Sequence, residues 1–180
     1  MKNLVAVIFG IFFPVFSMAQ AVSFTAVNVG LTLPEVALLD IEPNNSAVSL
    51  VLNSPTEAGS FVKNTLVSSA KWINYTSAVS LGKTRNVLVH IEYGSTPSGT
   101  VLKAMCSASS GGKGALGTST GNITISNVPQ KIIAGIGPAA TGNGANFGHS
   151  ISYILEVTDV GKLNFNTSGT LGLIFTLIDN

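Results

Sequence analysis

From Asn86 to Tyr93 the chain alternates with a period of two. Val87, Val89, Ile91 and Tyr93 fall on one side, and Asn86, Leu88, His90 and Glu92 on the other. Successive side chains of an extended strand point to opposite faces, so the first set predicts a core-facing stripe and the second a surface. The same alternation marks two further segments. Residues 22–33 carry Val22, Phe24, Val27 and Val29, and residues 170–178 place Leu171, Leu173, Phe175 and Leu177 on one face. Shorter β-branched or alternating runs at residues 36–41, 47–52, 71–76, 100–104, 122–128, 130–136 and 151–157 predict more strands. Turn clusters separate them, among them Glu42-Pro43-Asn44-Asn45 and Asn53-Ser54-Pro55. No spacer has the length or period of a helix.

This pattern predicts an all-β fold, an antiparallel β-sandwich of the immunoglobulin-like, Greek-key type with about nine to eleven short strands. Residues 20–180 form one domain, with no internal repeat and no linker. Residues 107–121 and 135–148 are too rich in glycine to read as strands. They are expected to be long surface loops, the usual place for function on a β scaffold.

The start of the chain breaks the pattern. Met1-Lys2-Asn3 is followed by an apolar run from Leu4 to Phe16 and then Ser17-Met18-Ala19. A positive start, an apolar centre and small residues at Ser17 and Ala19 predict a secretory signal peptide, residues 1–19, cleaved after Ala19. The expected location is periplasmic, cell-surface or extracellular. Beyond that segment no apolar run reaches the ~18 residues of a membrane helix, so no transmembrane helix is expected in the mature chain.

Charge narrows the partners. Nine basic and eight acidic residues make up only 9% of the chain, and losing Lys2 with the signal leaves it formally neutral. A neutral chain without a basic face cannot release counterions from a phosphate backbone, so nucleic acid is not an expected partner. The single cysteine, Cys106, excludes an intrachain disulfide scaffold and reads as a small core hydrophobe.

The candidate chemistry is thin. Gly112-Lys113-Gly114 lacks the Ser or Thr and the upstream glycine of a phosphate loop. A hydrolase needs a nucleophile, a base and a group that orients the base. The two histidines, His90 on an outward strand face and His149 at the exit of a glycine-rich stretch, have no nucleophile elbow near them. Asp40 and Glu42 share a strand face that a calcium ion could use with loop carbonyls, but no Asp-rich calcium loop is present. The expectation is therefore no catalytic residue, no metal site and no cofactor. Trp72 and Tyr75 are the aromatic pair best suited to stack on a sugar, although their opposite parity on a strand turns one of them inward.

An export signal, an N-terminal alternating strand, a Ser/Thr/Gly-rich β domain and an alternating terminal strand together resemble the fimbrial-subunit and adhesin-type β-sandwiches of bacterial surfaces. The same layout resembles small secreted bacterial β-sandwich proteins in general. The chain departs from the common pilin pattern in lacking a cysteine pair. The resemblance implies a non-enzymatic structural or adhesive role. Val22, Phe24, Val27 and Val29, with Leu171, Leu173, Phe175 and Leu177, would be the strands that pair with copies of the chain or with other surface subunits. A carbohydrate-binding module using Trp72 and Tyr75 is the alternative, with glycans as partners. A small outer-membrane β-barrel is a further one, against which stand the few aromatics available for interfacial girdles.

Overall fold

The computed structural model describes residues 23–164 and 169–180, with the backbone alone at residues 65–70. The expected signal peptide and Val22 lie outside the described residues. The chain divides into two units, residues 1–32 and residues 33–180. In the first, residues 23–32 form neither strand nor helix, and their side chains are exposed.

The second unit is all-β. Its strands are β1 (Val36–Glu42), β2 (Thr65–Ala78), β3 (Arg85–Tyr93), β4 (Thr100–Ser110), β5 (Lys113–Ser119), β6 (Asn122–Thr124), β7 (Gln130–Ala140), β8 (Gly148–Val157) and β9 (Gly172–Asp179). A 3-10 turn at Val160–Lys162, capped by the Asp159 carboxylate, is the helical element among the described residues. All nine strands join one antiparallel sheet in the order β6-β4-β8-β2-β7-β3-β9, with β1 added to β2 and β5 to β7.

The long strand β2 explains the shape of this sheet. Its first two-thirds pair with β8 through Ile73, whereas Thr76 and Ser77 pair with Ala140 and Ala139 of β7. One strand thus serves two neighbours, and the sheet turns around a shared core. Ile73 and Tyr75 from β2, Val87 and Val89 from β3, Ala104 and Cys106 from β4, Ile132, Ile133 and Ile136 from β7, and Ile151 and Tyr153 from β8 all join that core.

Seven expected strands are present: β1, β2, β3, β4, β7, β8 and β9 overlap the runs at 36–41, 71–76, 86–93, 100–104, 130–136, 151–157 and 170–178. The two glycine-rich segments are loops only in part, as at residues 141–147 between β7 and β8. Residues 107–110 complete β4, residues 113–119 are β5, and residues 135–140 complete β7. Glycine serves close backbone approach here. Gly114 has φ +90°, and a Cβ on it would lie 2.1 Å from the Pro138 carbonyl oxygen. Only a residue without a Cβ fits there.

Other strand expectations fail in the opposite direction. Residues 23–33 and 47–52 form no strand, and the run at 122–128 shrinks to β6. Residues 44–53 nevertheless follow β2. The buried Lys71 ammonium donates to Asn44 O (2.7 Å), Asn44 Oδ1 (2.8 Å) and Ser46 Oγ (2.9 Å), and Asn53 forms a bridge with Lys63. The segment therefore continues the line of β1 along the first half of β2. Asn86 is buried rather than on the surface, because its amide donates to Asn180 Oδ1 (3.0 Å) and accepts from the Gly135 amide (3.2 Å).

Candidate strand-pairing seam

A closed β core buries its inward side chains completely, so half-buried ones mark where coverage is missing. Eleven partly buried hydrophobic residues pack against the core, and eight lie on two stretches of chain. Leu39 and Ile41 belong to β1, with Val48 and Leu50 in the segment that continues it; Leu171 precedes β9, and Leu173, Phe175 and Leu177 lie on it. Among the described residues β1 pairs with β2 alone and β9 with β3 alone, so within them each has one row of backbone groups without a ladder partner. The outward residues Ile174 and Ile178 are exposed as well, which makes β9 apolar on both faces. Two unpaired edges with incompletely covered apolar side chains form an open seam.

Arg85, at the start of β3, holds one end of the seam shut. Its side chain is 4% exposed. Nε donates to Asp179 Oδ1 at 2.8 Å, Nη2 donates to Glu35 Oε1, and Nη1 donates to the Val36 carbonyl. Longer contacts reach Ser77 Oγ (3.4 Å) and the Ala78 carbonyl (3.3 Å). A buried guanidinium is tolerated only when its donors are matched, and here the entry to β1, the end of β2 and the end of β9 all supply acceptors. β1 leaves this end and β9 arrives at it, so the two edges run in opposite directions. Beside the clamp, Glu35, Val79, Ser80, Lys83, Thr84, Asp179 and Asn180 line a cleft of about 230 Å³. That is below the usual volume of a small-molecule site.

The residues expected to bind sugar are not brought together. Tyr75 is 3% exposed and faces the core, while Trp72 is half-buried on the opposite face of β2. The structure thus removes Tyr75 from any exposed platform, because residues of opposite parity on a strand face opposite sides.

Tyr75 instead joins a buried polar knot. Its hydroxyl donates to the Leu116 carbonyl and lies 2.9 Å from His149 Nε2, while His149 Nδ1 lies 2.8 Å from the Ser107 carbonyl. The rings stack with centroids 5.8 Å apart. Both imidazole nitrogens are engaged with structural partners from β2 and β4, and the Ser107 hydroxyl faces the Ala108 carbonyl and the Ser150 amide. Burial pushes the neighbouring Cys106 thiol up to about 12, and burial together with Cys106 raises Tyr75 and Tyr153. A thiol held neutral in this way is a poor nucleophile.

His90 lies 3.3 Å from Glu92 at the surface. Asp40 turns one carboxylate oxygen back to the Ile41 amide (2.8 Å). Among the described residues no group of three or more His, Cys, Asp or Glu side chains is placed to hold a metal ion. Also among the described residues, no helix is long and apolar enough to cross a membrane.

Of the expected assembly residues, Leu171, Leu173, Phe175 and Leu177 line the seam, and Phe24, Val27 and Val29 are exposed on a segment without a strand partner. Val22 lies outside the described residues. Arg85 was not legible as a site residue, although one signal pointed to it: it is the chain's single arginine. Comparison with protein-family models, curated proteins and solved structures finds no match.

Proposed function

We propose that the chain is an exported, non-enzymatic β-sandwich with a structural or adhesive role at the cell surface, a fimbria-like subunit that joins its neighbours by strand pairing. The observation that carries this reading is the seam: among the described residues β1 and β9 each have an edge without a ladder partner, and eight half-buried apolar residues lie along them. Strand addition supplies backbone hydrogen bonds to such an edge and side chains to the apolar sites beneath it. In this reading the two layers are β1-β2-β8-β4-β6 and β9-β3-β7-β5, joined where β2 passes from β8 to β7. An unclosed edge also favours a sandwich over a membrane barrel, since a lipid-embedded sheet must pair every backbone group. Fractionation of cells expressing the full chain, followed by sedimentation of the exported protein over a wide concentration range, tests the proposal. Export and concentration-dependent association are expected. Retention in the cytoplasm, or a monomer at every concentration, would overturn it.

A further inference from the structure

We infer that Asn143 is a self-modifying residue, which with time closes on the Gly144 amide, loses ammonia and leaves aspartate or isoaspartate in the loop between β7 and β8. Asn143-Gly144 is the single Asn-Gly pair in the chain. A glycine in second place leaves its amide nitrogen unshielded, and nothing lies within 4 Å of the position a Cβ on Gly144 would take. Asn143 is exposed to water. Among the described residues neither the Asn143 side chain nor the Gly144 N–H has a hydrogen-bond partner, so the attacking nitrogen and its target are both free. The next least hindered pairs, Asn45-Ser46 and Asn53-Ser54, are held. The Ser46 amide donates to Asn44 Oδ1 (3.0 Å), and Asn53 forms a bridge with Lys63.

The chemistry needs nothing but water. Hydroxide takes the Gly144 amide proton, the nitrogen bonds to Asn143 Cγ, and the Cγ–Nδ2 bond breaks as ammonia leaves with a proton from water. Water then opens the succinimide ring at either of its carbonyls. One opening restores the ordinary main chain as aspartate; the other routes the main chain through the side chain, as isoaspartate. Gly144 is also the residue that ties the loop to the sheet. Its carbonyl accepts from Asn74 Nδ2 (2.8 Å), and Asn74 is 4% exposed with Oδ1 already lacking a partner. Thr141 holds the start of the loop on the Tyr75 amide (2.9 Å), and the Phe147 ring closes on Gly142 at its base, so the Asn74 bond fixes the middle. The extra main-chain methylene of isoaspartate moves the Gly144 carbonyl off Asn74. A buried amide is then left with no partner, and the loop responds by opening locally.

To test this, the purified full chain is kept folded at mildly alkaline pH and followed over days by peptide mass mapping. The expected result is a gain of about one mass unit confined to the peptide that contains Asn143, with isoaspartate detected there by enzymatic methylation. The gain should run several-fold faster than at Asn45 or Asn53, and faster still as pH rises. Asn143→Gln should remove it, because the longer side chain closes its ring far more slowly. A folded chain that shows no gain over the time in which a peptide of residues 139–149 deamidates overturns the inference, and so does a gain that persists in Asn143→Gln. Amide exchange checks the consequence. The aged parent should exchange faster at residues 141–147 than the fresh one, while aged Asn143→Gln should match its own fresh form. Deamidation without that change would overturn the role given to the Asn74 bond.

Discussion

Two edges of the sheet are unpaired for opposite reasons. β5, the outer strand on β7, carries glycine at Gly114 and Gly117, shifts register between Gly114 and Leu116, and exposes Lys113. Bulges, a charge and missing side chains leave such an edge irregular and offer an incoming strand little to hold. β9, the outer strand on β3, keeps continuous register from Asp179 to Leu173 and alternates Leu173, Phe175 and Leu177 over the core. Proteins that stay monomeric tend to blunt both edges. Here β5 is a blunted edge strand and β9 a regular, apolar one, a contrast that would suit the strand pairing proposed above.

The comparison can be broken most severely at the core and the clamp. Ile133→Ala, at a fully buried position on β7, should cost about 2–5 kcal/mol in chemical denaturation. Arg85→Ala should cost about 1–3 kcal/mol, since it leaves the part-buried Val36 and Ala78 carbonyls unmatched while the exposed Glu35 and Asp179 carboxylates return to water, and amide exchange should rise first at the Asp179 end of β9. Gly114→Ala should cost about 2 kcal/mol through its clash and positive φ, and should loosen β5 without changing association at the other edge. Phe175→Ala is the sharpest probe of the seam. In the isolated chain it should cost about 1–2 kcal/mol, below the ~3–5 kcal/mol of a fully buried phenylalanine, and the cost should grow when the chain associates.

A further effect is a pH dependence of the buried knot. The folded Cys106 thiol ionises near 12 against an ordinary value of 9.0, so its neutral form is favoured by folding. Its contribution is complete below pH 9.0 and is lost as pH rises toward 12, because the unfolded chain releases its proton first. Tyr75 and Tyr153, raised by burial, act in the same direction above 10.0. Denaturation midpoints measured across this range should fall with pH, and the Cys106→Ala chain should fall less between 9 and 12.

The sequence was most legible where a strand is half in and half out. Residues 86–93 and 170–178 show a clean period of two, and both are strands with the predicted inner faces at Val87, Val89, Leu173 and Phe175. Glycine-rich stretches misled because glycine is common to turns and to strands that need close backbone approach, and composition alone does not separate the two. Asn86 looked like surface because its amide needs two partners, and those sit at Gly135 and Asn180, far along the chain. The same limit hid Arg85, whose acceptors come from Glu35, Val36, Ser77, Ala78 and Asp179. Periodicity at residues 23–33 predicted a strand that the structure does not form, because alternation alone supplies no neighbour to pair with.

The clamp at Arg85 also sets a timetable. Its acceptors at Glu35 and Asp179 stand at nearly opposite ends of the described chain, so the contact forms only after β9 exists. β9 in turn pairs with β3, closing a loop of about ninety residues, and pairings at such separation make folding slow. Under the strand-pairing proposal, the apolar edge of β9 would become available only once the chain has nearly finished folding, so the pace of folding would set the pace of any association.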